Sequence, residues 1–204
     1  MTEGDLAGLT AVWRARWGGS PVGYELRERF ADRWVRFHSL PESKRYAETE
    51  AEYGVVLDRH RTLLRALGVE DRLCLIAGYF EEAEGPASPH PDHPDPDRPD
   101  PDRPGPDHPG AVPWLTVMPD ERSFFEIPLK LYVSEVVYGS ATLDPFLRGV
   151  ADERLGHAII SPPDLRWLYH PYDGGGDVIA ATVRERDALK SRYASWLSEH
   201  PSGL

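Results

Sequence analysis

Leu165-Arg166-Trp167-Leu168-Tyr169-His170-Pro171-Tyr172-Asp173-Gly174-Gly175-Gly176-Asp177-Val178-Ile179-Ala180-Ala181 reads as two strands folded back on each other. Leu165 to His170 and Asp177 to Ala181 are short runs of apolar, aromatic and β-branched residues, and Asp173 to Gly176 between them is turn material. Before them, Pro162-Pro163-Asp164 makes another turn behind a strand at His157 to Ile160. Strands joined so tightly are antiparallel, because parallel neighbours need a crossover of a dozen residues or more.

Just beyond the hairpin, Thr182-x-x-Glu185 has the spacing of a capping box. In such a box a hydroxyl and a carboxylate satisfy the orphan amides of a helix start. The helix that follows carries Val183, Leu189, Tyr193, Trp196 and Leu197 as its apolar stripe. Further out, Leu129 to Val137, Leu73 to Tyr79, Pro113 to Met118 and Trp34 to His38 read as strands. Asp5 to Trp17 predicts an N-terminal amphipathic helix ended by Gly18-Gly19, and Asp144-Pro145 opens a short helix to about Leu155. Ser39-Leu40-Pro41-Glu42 repeats the capping-box spacing and predicts a long helix to Leu67, with Tyr46, Tyr53, Leu57, His60 and Leu64 on one face.

Helices and strands alternate without a strict βαβ rhythm, so the expected class is α+β, a mostly antiparallel or mixed sheet with packed helices. The chain of 204 residues, 40% apolar with six Trp and nine Tyr, is sized for a single domain over 1–204 with a full core. Residues 84–112 interrupt it with an acidic repeat of the form Pro-Asp-Pro-Asp-Arg/His. Proline at that density cannot sustain a hydrogen-bond ladder, so this reads as a disordered, proline-rich insertion acting as a spacer. His90, His93 and His108 within it lack the fixed geometry a metal needs.

Net charge is −11, but nine acidic residues against only Arg98 and Arg103 lie between Glu81 and Pro109, leaving −4 for the rest. The first 45 residues hold no basic footprint for nucleic acid. No run approaches a membrane span, and the acidic start Met1-Thr2-Glu3-Gly4-Asp5 is not that of a secretory leader. One cysteine, Cys74, sits in an apolar run. A cytoplasmic location is the expectation.

Two groups of residues could carry chemistry. Arg36, His38, Lys44 and Arg45 gather where a strand end meets a helix start, with Arg36, Lys44 and Arg45 as candidate anion ligands. His170, Asp173 and Asp177 flank the hairpin, and with His38 they are the candidate acid–base set. Each group has a plainer reading: solvated helix cations in the first, an Asx-stabilised turn in the second. His60, on the apolar helix face, reads as a core histidine. Nucleotide loops, the G-x-S-x-G elbow, H-E-x-x-H and C-x-x-C are absent, so no cofactor and no metal is implied.

Leu168 to Ala180, followed by Leu189-x-x-x-Tyr193-x-x-Trp196-Leu197, resembles the C-terminal signature of a bacterial domain-of-unknown-function family, number 3885. Trp34 to Tyr46 is similar to that family's N-terminal block. The resemblance implies a bacterial intracellular protein and carries neither an activity nor catalytic residues. Two expectations follow. The first is a non-catalytic protein-interaction or binding module whose partner is another protein. The second is a small enzyme or anionic-ligand-binding protein using a His/Asp/Arg pocket. Whether the chain is an enzyme stays open.

Overall fold

The computed structural model describes residues 1–80, 109–118 and 127–198. Seven strands form one sheet: β1 (Trp34–His38), β2 (Arg72–Phe80), β3 (Val112–Val117), β4 (Leu129–Val137), β5 (Gly156–Ser161), β6 (Leu168–Tyr172) and β7 (Gly175–Ile179). Their order is β1-β7-β6-β5-β2-β4-β3, and every neighbouring pair is antiparallel. The helices are α1 (Glu3–Arg16), the single turn α2 (Leu26–Arg29), α3 (Glu50–Ala66), α4 (Leu143–Ala151) and α5 (Val183–Arg192). The class is α+β, as the hairpin implied. Most of the proline-rich insertion lies outside the described residues, and its last residue, Val112, already opens β3.

Alternation along the strands builds two cores. On one face, Val35, Phe37, Leu75, Ile160, Trp167, Tyr169 and Val178 pack with Leu63 and Leu64 of α3, Phe146 and Leu147 of α4 and Leu189 of α5. On the other, Cys74, Ile76, Leu131, Ile159, Leu168 and Ile179 pack with Leu9 and Trp13 of α1 and Leu26 of α2. β2 is therefore buried on both sides, which explains its unbroken apolar sequence where a half-exposed strand would alternate. Side chains such as Trp13 and Phe37, each 1% exposed, contribute about 1.5–3 kcal/mol apiece by leaving water. Burial pushes the Cys74 thiol up to about 12 and makes it an inert core residue.

Three local expectations change. The long helix begins at Glu50, capped by Thr49, whose hydroxyl accepts from the Glu52 amide. Ser39 caps nothing: its amide donates to the Gly174 carbonyl at 3.0 Å, so pairing with the hairpin replaces a helix start. Pro41–Ser43 forms one 3-10 turn, and Tyr46 lies outside α3, 45% exposed. In the hairpin, β6 runs to Tyr172 and β7 begins at Gly175, so only Asp173 and Gly174 make the turn. Helix α4 is entered through Thr142 rather than Asp144, and Asp144 instead pairs with Arg61. The α5 capping box forms as read, Thr182 with Glu185. Among the described residues no helix is long and apolar enough to cross a membrane.

Candidate functional site

The three glycines of the hairpin are needed for close approach, since none of them has a left-handed φ. A Cβ on Gly175 would lie 2.3 Å from the Phe37 carbonyl oxygen, and one on Gly176 would lie 2.3 Å from the Tyr169 hydroxyl. Strand β1 can therefore press against β7, and the Tyr169 ring can lie across it. On the α3 side Tyr169 meets His60 Nδ1, and burial holds the His60 pKa down at about 4. His60 is the core histidine that its place on the helix implied.

The opposite face carries the candidate residues. Register sets Arg36 of β1 opposite Asp177 of β7, and Asp177 opposite His170 of β6, so the three form one row across three strands. Arg36 Nε donates to Asp177 Oδ1 at 2.8 Å and Nη2 to Oδ2 at 3.0 Å. Asp177 is 3% exposed. The guanidinium also lies 5.1 Å from the Tyr172 ring centroid and 5.6 Å from that of Trp34. Burial works against the Arg36 charge and the Asp177 carboxylate more than restores it, so its pKa ends above the usual value. His170 is packed against Gly23, where a Cβ would meet its ring at 2.4 Å. Its Nδ1 donates to the Ala158 carbonyl at 2.6 Å, and burial keeps its pKa low despite the nearby Asp177 carboxylate. It is a neutral imidazole at pH 7.

The remaining candidates separate. Arg45 Nε donates to Asp173 and is otherwise exposed, joining the chain after β1 to the hairpin turn. Lys44 turns away to Glu48 and Glu52 at the start of α3 and takes no part in the corner. All three proposed anion ligands are thus already neutralised by carboxylates.

At the end of β1, a cleft of about 460 Å³ is lined by His38, Leu40, Glu42, Ser43 and the segment Ser195–Ser198. Glu42 and Ser43 are consecutive residues with left-handed backbone, φ 56° and 57°. Such a conformation costs a non-glycine residue roughly 1–2 kcal/mol and collects at functional sites. His38 Nε2 and Ser39 Oγ are buried without a hydrogen-bond partner among the described residues. Burial, with Arg36 and Arg59 nearby, keeps the His38 pKa low. Arg59 stands behind this wall, donating to the His38 carbonyl at 2.8 Å with its guanidinium 4.9 Å from the Trp196 ring centroid. It has no ion pair among the described residues. Sequence reasoning passed over Arg59, a helix cation like many others, because its position depends on how α3 docks beside β1.

An α+β protein with an ion-paired corner and an adjoining polar cleft is thereby defined. The chain belongs to the family described as domain of unknown function (DUF3885), whose model matches residues 22–201. No curated protein and no solved structure matches the chain.

Proposed function

We propose that the protein is a non-catalytic binding module of the bacterial cytoplasm, that its partner is another protein rather than nucleic acid or a membrane, and that the cleft at the end of β1 receives it. The observation that carries this reading is the commitment of the corner: Asp177 is closed by Arg36, Asp173 by Arg45, and His170 Nδ1 by a backbone carbonyl. Carboxylates so paired stabilise the join between β1 and the hairpin, and their oxygens are engaged by guanidinium groups of the chain itself. The cleft, by contrast, combines unmet hydrogen-bonding groups at His38 and Ser39 with left-handed backbone at Glu42 and Ser43. Ser195 is exposed in the cleft wall, so Ser195→Trp fills the cleft without touching the core. A complex recovered from the native host with the unaltered chain should be lost with Ser195→Trp at unchanged melting temperature. Equal recovery with both chains would refute the assignment.

One observation favours the second reading, a small enzyme or anionic-ligand-binding protein. With Nδ1 spent on Ala158, His170 Nε2 makes no hydrogen bond among the described residues, so the imidazole has a lone pair to offer beside Arg36. A turnover abolished by His170→Gln in a correctly folded chain would establish it.

A further inference from the structure

The sheet ends in two outer strands, β3 on one side and β1 on the other. In an antiparallel ladder the N–H and C=O of one residue point to the same neighbour, and successive residues alternate. The Tyr138 amide donates to the Asp71 carbonyl at 2.8 Å, so by register the even-numbered residues of β4 bond to β2, and the backbone groups of Leu129, Leu131 and Val133 face β3. On β3 this leaves Pro113, opposite Tyr132, pointing outward. Proline has no N–H to offer there, and the register shift between Pro113 and Leu115 breaks the line of the strand, so this edge is blunted against further pairing.

Strand β1 has neither a proline nor a register shift. The Ser39 amide donates to the Gly174 carbonyl at 3.0 Å and the Ala180 amide to the Arg33 carbonyl at 3.1 Å, which sets the odd-numbered residues of β1 toward β7. The N–H and C=O of Trp34 and Arg36 therefore point outward, as does the N–H of His38, and none of them has a hydrogen-bond partner among the described residues. The His38 carbonyl does have one. Arg59 Nη1 donates to it at 2.8 Å, which places that guanidinium on the open edge. Burial lowers the Arg59 pKa, and no carboxylate among the described residues offsets it. Trp196, under the same guanidinium, shares the cleft wall with His38, so the open edge runs into the cleft. An unused ladder ending on an uncompensated cation is the complement of an extended chain carrying a carboxylate. We infer that an extended acidic segment of the partner protein adds to the sheet along β1, bonding to the Trp34 and Arg36 backbone and setting an Asp or Glu carboxylate on Arg59 at the mouth of the cleft.

This inference rests on the reading of the cleft as a protein-binding site, and its test separates the two. In the free, full chain the amides of Val35 and Phe37 should exchange hydrogen at least about tenfold more slowly than those of Trp34 and Arg36, because only the first two are bonded to β7. Equal rates would overturn the open edge. The binding probe is a phage-displayed library of random short peptides selected on the full chain, with the enriched sequence then synthesised. An Asp or Glu in that sequence, a Kd of about 100 μM or tighter, and exchange at Trp34 and Arg36 slowed about tenfold are expected. N-methylation at alternate peptide residues should weaken binding about tenfold for one parity and leave it unchanged for the other. Arg59→Gln should weaken the peptide about tenfold, as should amidation of its acidic side chain, and the two losses should not add. Arg59→Lys should retain most of the binding. A selection that yields no binder, or a peptide that binds without slowing exchange at Trp34 and Arg36, would overturn the inference. If such a peptide is lost with Ser195→Trp, the cleft reading stands while strand addition fails. Slowed exchange that survives Ser195→Trp would uphold strand addition and refute the cleft.

Discussion

Gly175 and Gly176 concentrate the fold's tolerances into two missing methyl groups. At Gly175 the obstacle to a Cβ is backbone, the Phe37 carbonyl, which can move only if β1 moves. At Gly176 it is the hydroxyl of a fully buried tyrosine held against His60. Gly175→Ala should therefore cost at least the roughly 1–3 kcal/mol typical of overpacking, and should loosen β1 specifically. Hydrogen exchange at the β1 amides, compared with those of β2, would register it. Gly176→Ala should destabilise both faces together, since it displaces Tyr169. These demands could not be read from the sequence, where three glycines after an aspartate suggest a turn. The turn takes only one of the three, and the other two are thinned strand.

At the scale of elements, legibility followed period. β1 and β4 span the residues that the sequence implied, because alternation of large and polar side chains marks a strand wherever its neighbours lie. The start of α3 was misplaced because Ser39–Glu42 and Thr49–Glu52 have the same spacing, and only the tertiary bond from Ser39 to Gly174 decides between them. The segment between them keeps the strain at Glu42 and Ser43. Ser43→Gly should stabilise the chain by about 1 kcal/mol, measured by thermal or denaturant unfolding, because glycine adopts φ 57° without penalty. If the strain shapes the cleft, the same substitution should weaken partner binding, and a Ser43→Gly chain neither stabilised nor weakened would remove strain from the account. The Arg36–Asp177 pair was beyond the sequence for a plain reason: its members stand 141 residues apart and meet only because β1 adds to the edge of the hairpin.

The molecule as a whole is sensitive to acid through its buried imidazoles. His60, by burial, and His157, by burial and the nearby His170, have pKa values lowered from 6.5 to about 4. An unfolded chain takes up protons on these histidines as pH falls below 6.5, and the folded chain does not until about pH 4. Stability is thus complete above pH 6.5 and falls as pH drops toward 4, by up to about 1.4 kcal/mol per pH unit for each group. Denaturant melts at pH 7 and pH 5 should differ by roughly 3–4 kcal/mol if both contribute fully. A flat profile over that interval would mean that neither imidazole is buried as described.

Arg36 and Asp177 join β1 to the hairpin through two hydrogen bonds, and we propose that this join is what the corner is built for. A double-mutant cycle on Arg36→Met and Asp177→Leu, read by denaturant unfolding, tests it most directly. Each single substitution strands a charge in a largely buried place and should cost about 3–5 kcal/mol, whereas the charge-free double variant should recover most of that loss. Single variants as stable as the unaltered chain would contradict the claim, leaving the pair free for another task.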